Sequence, residues 1–370
     1  MNDSEYMRMA LDHARKGCGF TAPNPMVGAV IVKEDRVIGQ GWHEKYGQPH
    51  AEPNALASCK ESPEGAVMYV TLEPCCHYGK QPPCVDAIIR AGIQRVVIGS
   101  ADPNPLVSGK GVQILREHGI QVTEHVLREE CDRLNEVFFH FIQTRTPFVV
   151  MKYAMTMDGK IAAYTGDSKW ITGESARNHV QQQRHRYTAI MAGIGTVLAD
   201  DPLLTCRIPG GKNPVRIICD TALRIPMDSQ IVKTAGQAPT VIAAGKNRAD
   251  SEKQHALEQA GCRVLRIEET NGHVDLRQLM EVLGEEQIDS ILLEGGGSLH
   301  WSALESGIVR KVQAYIGPKL FGGAAAKTPV EGTGVAAVSE AFLLKNSKII
   351  NLGEDFLIES EVTTDVYGNS

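Results

Sequence analysis

The sequence lacks any apolar run that approaches the ~20 residues needed to cross a bilayer as a helix. Its first residues, Met1–Glu5, are polar and acidic, and they lack the basic-then-apolar order of a secretion signal. These two absences argue against an integral membrane protein and against a secreted one. We therefore expect a cytoplasmic protein with no membrane partner.

An excess of positive charge is also missing. The chain carries 38 Lys and Arg residues against 44 Asp and Glu residues, which gives a net charge of -6. A general nucleic-acid-binding protein needs a basic surface to neutralise backbone phosphates, so we expect no nucleic-acid partner. A phosphorylated small molecule is not excluded, because it needs only a few local Arg, Lys or backbone N–H groups.

The cysteines do not form the framework of a disulfide-rich secreted protein. There are nine of them, an odd number, spread through a chain of 370 residues. Secreted frameworks are usually short, dense and even-numbered, so most of these cysteines are expected to be reduced thiols. Cys75, Cys76 and Cys84 lie close together in the sequence and need a separate explanation.

The length and the pattern of elements indicate two α/β domains. A hydrophobic fraction of 42% is typical of globular proteins, and 370 residues are enough for two domains. We place the boundary at Pro147, because proline disfavours a helix through the preceding residue, which gives domains 1–146 and 147–370. The alternation of strands and helices indicates layered α/β sheets.

In the first half, periodicity predicts helices over 5–16, from His50, from Cys84, over 111–118 and over 129–143, and strands over 27–32, 37–39, 67–72, 95–99 and 120–126. In the second half it predicts strands over 148–155, 189–192, 215–220, 240–244, 290–293 and 312–316, and helices over 174–186, 251–260 and 299–306.

The first half contains a set of residues suited to a catalytic zinc ion. Zinc prefers thiolate and imidazole ligands, and a catalytic site uses three protein ligands and leaves the fourth position to water. His50, Cys75 and Cys84 supply that number, with one zinc per chain. Glu52 lies two residues after the histidine, where it could take a proton from the water and pass it to a departing amine. The spacing therefore predicts a zinc-dependent deaminase.

The local sequence supports that geometry but leaves some ligands open. Pro53 is tolerated only in the first turn of a helix, so a helix should begin around residues 50–52. Cys76 and His77 are alternative ligands; we prefer Cys75 because it follows Pro74, as in the deaminase signature H-x-E followed by P-C-x-x-C. A structural zinc site is the competing interpretation, although such sites normally use four protein ligands.

The second half is less informative when its residues are taken alone. The segment 290–299 is an apolar strand, a glycine turn and a helix start, which suits a pyrophosphate but also suits an ordinary tight connection. Trp170 could stack on a planar ring or anchor the core. Arg184 and Arg207 could bind a phosphate or lie on a solvated surface. Asp220 closes a strand, and an acidic residue there often favours a 2′-hydroxyl over a 2′-phosphate in Rossmann folds.

The chain departs from ordinary nucleoside deaminases, because eight residues rather than two separate Cys75 from Cys84. With that spacing it resembles the bifunctional deaminase–reductase family of riboflavin biosynthesis over nearly its whole length. The chain departs from this family at Pro53, where the family tends to carry an apolar or β-branched residue. The segments that carry the resemblance are 23–28, 50–52, 71–75, 79–84, 102–105, 158–162, 168–172, 195–202 and 294–297.

The resemblance implies two reactions and two folds. A cytidine-deaminase-like three-layer domain would remove the 2-amino group of a diaminopyrimidinone that carries a ribosylamino 5′-phosphate. A dihydrofolate-reductase-like α/β domain would then reduce the ribosyl group to ribityl with NADPH. The implied cofactor contacts are Ala154, Trp170, Thr196, Asp200, Thr221, Gly296, Gly297, Ser298 and Leu299. The implied substrate contacts are Lys152, Ser168, Arg184, Leu204, Arg207 and Glu294.

Two other functions compete with this one. A nucleoside or tRNA deaminase with a nucleotide-binding second domain is disfavoured by the negative net charge and by the long cysteine spacing. A zinc-stabilised regulator without catalysis is disfavoured by the H-x-E pairing. The sequence does not identify an acid for the reduction, since hydride chemistry resides in the nicotinamide. A homo-oligomer is compatible with the sequence.

Overall fold

The computed structural model describes residues 1–79, 81–104, 107–247 and 251–363. Lys80 and Pro105, which belong to two of the sequence motifs, lie outside the described residues. The chain separates into two compact units, residues 1–145 and 146–370. Among the described residues, no helix combines the length and the apolarity required to cross a membrane.

The first unit is a five-stranded sheet in the order β2-β1-β3-β4-β5. Strand β1 pairs antiparallel with β2 and β3, and β3, β4 and β5 are parallel. Its strands are β1 Gly28–Lys33, β2 Arg36–Trp42, β3 Val67–Leu72, β4 Arg95–Ser100 and β5 Gln121–Thr123. Its helices are α1 Asp3–Arg15, α2 Ala51–Ala57, α3 Cys84–Arg90, α4 Lys110–Glu117, α5 Arg128–Leu134 and α6 Glu136–Thr144.

Both faces of this sheet are buried, which explains the continuous apolar run in β1. Ala29 and Ile31 pack into one core cluster, and Val30 and Val32 pack into the other. Successive side chains of a strand point to opposite faces, so a strand covered on both sides has no polar alternation. The three-layer arrangement expected from the sequence is confirmed.

The second unit is built on a nine-stranded sheet in the order β10-β9-β8-β7-β13-β6-β14-β16-β15. Neighbouring strands are parallel from β10 through β9, β8, β7, β13 and β6 to β14. Strands β16 and β15 then add an antiparallel hairpin beside β14. Its strands are β6 Phe148–Thr156, β7 Ala189–Gly193, β8 Val215–Cys219, β9 Thr240–Gly245, β10 Arg263–Ile267, β11 Glu269–Thr270, β12 His273–Val274, β13 Ser290–Leu293, β14 Val309–Gly317, β15 Leu344–Leu352 and β16 Asp355–Val362. Its helices are α7 Glu174–Arg186, α8 Ile194–Asp200, α9 Gln230–Lys233, α10 Ser251–Gln259, α11 Leu276–Glu285 and α12 Gly297–Glu305, with a 3-10 turn at Val338–Glu340.

Some boundaries differ from those that periodicity predicted. The single helix expected over 129–143 is two helices, because Asn135 adopts a non-helical backbone between α5 and α6. Its side-chain amide is used elsewhere: it accepts a hydrogen bond from the Met26 N–H at 2.8 Å and donates one to the Met26 carbonyl at 3.0 Å. The strand expected over 120–126 is shorter, Gln121–Thr123.

Candidate active sites

Three elements of the first unit bring His50, Cys75 and Cys84 together. His50 is the N-cap of α2, Cys75 follows β3, and Cys84 is the first residue of α3. The Nδ1 atom of His50 lies 3.5 Å from the Cys75 Sγ and 3.3 Å from the Cys84 Sγ. These three ligand atoms form one group that could hold a metal ion, and the group contains neither Cys76 nor His77.

The spacing of these atoms fits zinc. Zn–S and Zn–N bonds of about 2.3 and 2.0 Å at a tetrahedral angle place sulfur and nitrogen about 3.5 Å apart. The observed separations of 3.3 and 3.5 Å are close to that value. The donor set of one imidazole and two thiols leaves a fourth tetrahedral position open, as a catalytic site requires.

The surroundings of the three ligand atoms favour a thiolate. Hydrogen bonds with the Cys84 thiol and with His50 hold the pKa of Cys75 well below that of a free thiol, despite burial. The backbone N–H of Cys84 also donates to the Cys75 Sγ at 3.4 Å. Cys76 differs, since burial raises the pKa of its thiol and its side chain packs against the core.

Glu52 is placed beside this group by the start of α2. The helix begins at Ala51, so Glu52 and Pro53 both occupy its first turn, as the proline predicted. The Glu52 side chain is 3% exposed and contacts the Cys84 thiol. Burial raises the pKa of this carboxyl to about 7, which allows it both to accept and to release a proton near neutral pH.

Glu73 is a residue that the sequence reasoning missed. Its buried carboxylate accepts hydrogen bonds from the backbone N–H groups of Asp102, Gly109 and Val112 at 3.4, 3.0 and 3.3 Å. Gly109 and Val112 belong to the N-terminal turn of α4, whose free N–H groups need acceptors. A Cβ at Gly111 would approach the Pro74 carbonyl to 2.3 Å. The segment before Cys75 is therefore seated on α4.

Further contacts explain the motif at residues 23–28. Asn24 Nδ2 lies 3.2 Å from His43 Nε2, and the ring of His43 meets the ring of His50 edge-on at 5.4 Å. A Cβ at Gly28 would lie 2.0 Å from the Ala10 carbonyl, so only glycine allows α1 to pack on this strand. The motif thus combines a packing requirement with residues that reach the metal-ligand group.

The second unit contains a cavity of about 300 Å³. Eight of the fifteen residues that the resemblance implied line it: Lys152, Ala154, Ser168, Trp170, Arg184, Asp200, Arg207 and Glu294. The other lining residues are Tyr153, Ile161, Ile171, Thr172, Arg177, Val180, Gln181 and Gly295. Four of these neighbours belong to segments that carry the resemblance, namely Ile161, Ile171, Thr172 and Gly295. The other four had no signal in the sequence, because they share no motif and meet only in three dimensions.

A buried cluster of charges forms the floor of the cavity. Arg184 donates from Nε and Nη2 to the two carboxylate oxygens of Glu294 at 2.8 and 2.9 Å, and Lys152 Nζ lies 3.5 Å from Glu294. Burial opposes ionisation of Glu294, but the charges of Arg184 and Lys152 outweigh it and lower the pKa of that carboxyl to about 2. Glu294 is therefore ionised at every physiological pH, and it balances two cations.

The remaining implied residues do not line this cavity. Thr196 lies on α8, Leu204 packs in a core cluster, and Thr221 accepts a hydrogen bond from the Val274 N–H at 3.2 Å. Gly296 to Leu299 form the N-cap and first turn of α12, so the helix start expected after the glycines is present at Gly297. Their role as cofactor or substrate contacts stays a prediction.

The side chain of Asp220 stabilises the turn after β8. Its side chain is completely buried, and its carboxylate accepts a hydrogen bond from the Ile225 N–H at 2.8 Å, which closes the turn after β8. A carboxylate used in this way does not reach a ribose hydroxyl. The Rossmann rule for acidic residues therefore does not apply to this unit.

Two family profiles match the chain, one in each half. The family described as "Cytidine and deoxycytidylate deaminase zinc-binding region" matches residues 1–100. The family described as "RibD C-terminal domain" matches residues 147–358, which is more than half of the chain. The first match covers His50, Cys75 and Cys84, and the second covers the cavity.

Proteins of known name match the chain over almost its full length. The riboflavin biosynthesis protein RibD of Actinobacillus pleuropneumoniae is 55% identical over 359 residues, which are 97% of this chain and 95% of that protein. The structure of Acinetobacter baumannii RibD, form 1, is 35% identical with a TM-score of 0.87, and it covers 98% of this chain and 99% of that chain. A diaminohydroxyphosphoribosylaminopyrimidine deaminase/5-amino-6-(5-phosphoribosylamino)uracil reductase from Thermotoga maritima is 37% identical with a TM-score of 0.84, at the same coverages.

Proposed function

This chain belongs to the RibD family of riboflavin biosynthesis, and from the geometry of its two sites we propose which residues carry each reaction. It is a bifunctional enzyme, a zinc-dependent deaminase and an NADPH-dependent reductase that act on a phosphorylated pyrimidine. Membership of this family excludes the two competing functions, a nucleoside or tRNA deaminase and a non-catalytic regulator. The residue assignments below are our proposal.

For the deaminase we propose His50, Cys75 and Cys84 as the zinc ligands and Glu52 as the general acid and base. Zinc in such a site lowers the pKa of a water molecule so that hydroxide is available at neutral pH. The Glu52 carboxylate would take a proton from the attacking water and give a proton to the departing amine, so that water is consumed and ammonia leaves. The convergence of the three ligand atoms beside buried Glu52 is the observation that carries this proposal.

For the reductase we propose that the cavity binds the ribosylamino part of the deaminated product. Arg207 is exposed at the cavity, and its guanidinium, for which the described residues supply no side-chain partner, suits the 5′-phosphate. Lys152 lies beside Glu294 in the cavity lining, where its ammonium group can stabilise a developing negative charge on the opening sugar. Arg184 anchors Glu294 and keeps two of its five N–H groups for substrate, since three donate to Glu294 and to the Thr205 carbonyl.

NADPH supplies the hydride, and the chain positions it. We propose that Ala154, Trp170 and Asp200 contact the cofactor at the cavity. Thr196, Thr221, Gly296, Gly297, Ser298 and Leu299 would contact the more distant parts of the dinucleotide. The start of α12 at Gly297 supports a pyrophosphate there, because unpaired N–H groups at a helix start favour an anion.

We assign deamination to residues 1–146 and reduction to residues 147–370. The positions of the two family matches and the division into two compact units near residue 145 support this assignment. None of the nine cysteines forms a disulfide bond, which is compatible with the reducing cytoplasm in which we place the enzyme.

We further propose that the enzyme forms a homo-oligomer through the edge strand β15. This strand is nine residues long, lies at the edge of the sheet and is exposed along nearly its whole length. Leu344, Ile349 and Ile350 on it are 49%, 70% and 40% exposed. A long exposed edge strand pairs readily with another chain, and a second copy would cover its apolar side chains.

One experiment tests both halves of the proposal. The purified protein is incubated with the diaminopyrimidine ribosylamino phosphate, with and without NADPH, and the products are followed by mass spectrometry. We expect replacement of an amine by oxygen in either case and a gain of two hydrogens only with NADPH. Reduction before deamination, or deamination that requires NADPH, would contradict the assignment. Sedimentation of the protein and of an Ile349→Lys variant tests the oligomer, which should dissociate in the variant.

A further inference from the structure

A buried arginine in the second unit has no counter-ion. Arg216 on β8 is 0% exposed, and no carboxylate of the described residues lies within ion-pair distance of it. Its guanidinium donates only to neutral oxygens. They are the Thr240 hydroxyl at 2.6 and 3.1 Å, the Thr234 hydroxyl at 2.8 Å, and the carbonyls of Ile231 and Ala238 at 3.0 Å and of Leu203 at 3.2 Å.

Stability alone does not explain this arrangement. A buried cation loses its hydration, and an apolar side chain of similar volume at such a position is often no less stabilising. Arg216 also lies on a strand whose neighbours Ile217 and Ile218 are fully buried apolar residues. What the guanidinium provides, and an apolar side chain would not, is a set of directed bonds to separate pieces of chain.

One of those pieces is the segment Leu203–Arg207. The Arg216 guanidinium binds the carbonyl of its first residue, and the Gln181 Oε1 accepts a hydrogen bond from the backbone N–H of Arg207 at 2.9 Å. Arg184 binds the Thr205 carbonyl at 3.1 Å between them. The segment thus has a side-chain anchor at both ends and in the middle.

The segment needs such anchors. Leu204 has a φ of +50°, a left-handed conformation that is unfavourable for a leucine and persists only where the surroundings impose it. The segment is part of no helix or strand, so it has no ladder of backbone hydrogen bonds to define its path. Its last residue, Arg207, nevertheless has to present a guanidinium to the cavity.

We propose that Arg216 and Gln181 are positioning residues of the reductase site, which hold the segment Leu203–Arg207 so that Arg207 meets the substrate phosphate. This inference rests on the proposed role of Arg207. Arg216 acts from the core side of the segment and touches no substrate, while Gln181 acts from α7 at the cavity wall. The two residues fix one loop from opposite ends.

The test compares reduction of the deaminated intermediate with reduction of the same compound after removal of its phosphate. Arg207→Ala, Arg216→Met and Gln181→Met are measured in the full chain, with Gln182→Met as the matched control, because Gln182 is the exposed neighbour of Gln181 on the same helix. The KM for NADPH reports whether the second unit of each variant is folded, and deamination by the same chain reports that the first unit is intact.

We expect Arg207→Ala to raise the KM for the phosphorylated substrate about tenfold or more, the range for loss of a charge-assisted contact. Arg216→Met and Gln181→Met should each raise it by at least about threefold. Arg216→Met should leave kcat and the KM for the dephosphorylated substrate within about twofold. Gln181 lines the cavity, so Gln181→Met is expected only to raise the KM for the phosphorylated substrate more than the KM for the dephosphorylated one. Gln182→Met should change neither KM. A selective loss of phosphate preference is not expected from a residue that only stabilises the fold.

The outcomes distinguish the proposed role of Arg207 from the positioning role of Arg216 and Gln181. If Arg207→Ala keeps the preference for phosphate, the proposed role of Arg207 is wrong, and the positioning role falls with it. If Arg207→Ala loses the preference but Arg216→Met and Gln181→Met keep it, the positioning role alone is wrong. If Arg216→Met does not fold, the comparison of Gln181→Met with Gln182→Met decides. Equal increases of KM for both substrates would indicate a structural role only.

Discussion

Replacement of Glu294 by glutamine should weaken the second unit by an amount that the structure defines. The neighbouring cations hold the pKa of Glu294 at about 2 instead of 4.5. A difference of that size corresponds to roughly 3 kcal/mol in favour of the folded protein at pH 7. Glu294→Gln removes this contribution and leaves Arg184 and Lys152 without an anion, so we expect the free energy of unfolding to fall by roughly 3 kcal/mol.

The positions of the three tryptophans allow unfolding of the second unit to be followed by fluorescence in the full chain. Trp42 lies in the first unit, and Trp170 and Trp301 lie in the second. In a Trp42→Phe background, tryptophan fluorescence during urea denaturation therefore reports the second unit alone. Glu305→Gln serves as the control, because Glu305 is exposed at the end of α12. It should change the free energy of unfolding by less than about 0.5 kcal/mol.

The pH dependence gives the result that would refute the reasoning. A carboxyl whose pKa is lower in the folded state contributes its full stability above the unfolded value of 4.5 and loses it as the pH falls towards 2. The difference between the wild type and Glu294→Gln should therefore narrow by about 1 kcal/mol between pH 5 and pH 3.5. Equal stability of the two proteins at pH 7, or a difference that does not narrow in acid, would show that Glu294 is not held as an anion by its neighbours.

Three further predictions concern the first unit. Glu52→Gln should keep zinc, measured by metal analysis, while deamination falls at least about 100-fold and reduction is unchanged, since general acid–base catalysis is lost; a normal deamination rate would remove Glu52 from its role. Cys75→Ser and Cys84→Ser should each lose zinc, whereas Cys76→Ser should retain it, and the opposite pattern would reassign the ligands. Glu73→Ala leaves buried N–H groups unpaired at a cost of roughly 1–3 kcal/mol, so it should speed the release of zinc to a colorimetric chelator; release at the wild-type rate would contradict its seating of the segment before Cys75.

The zinc site could be predicted from the sequence because short segments of chain position its residues. His50 and Glu52 are fixed by the start of one helix, which Pro53 marks, and Cys84 begins another, so short segments determine most of the geometry. Glu73 could not be identified in the same way. Its partners lie 29 to 39 residues further along the chain, and only the fold shows that its carboxylate serves them.

Periodicity predicted most of the strands and helices but missed some elements of the second unit. Helix α11, Leu276–Glu285, and the hairpin of β15 and β16 were not expected. Nearly all of β15 is exposed, so it lacks the alternation of buried and exposed residues that identifies a strand. Arg216 is a comparable case, because a charged residue inside an apolar strand gives no sign in the sequence of the oxygens that surround it.

The strand order of the second unit has a consequence for synthesis of the protein. Strand β13 lies between β6 and β7, although about 100 residues separate it from β7 in the sequence. During synthesis on the ribosome, the first unit can fold before residues 290–293 have emerged. The centre of the second sheet cannot form until they have. Glu294 follows that strand directly, so the charge cluster of the cavity forms in the same step that fills the gap between β6 and β7. Chains that stop before Ser290 lack both partners of β6 and one partner of β7, so they should expose apolar strand edges and become targets of chaperones and proteases.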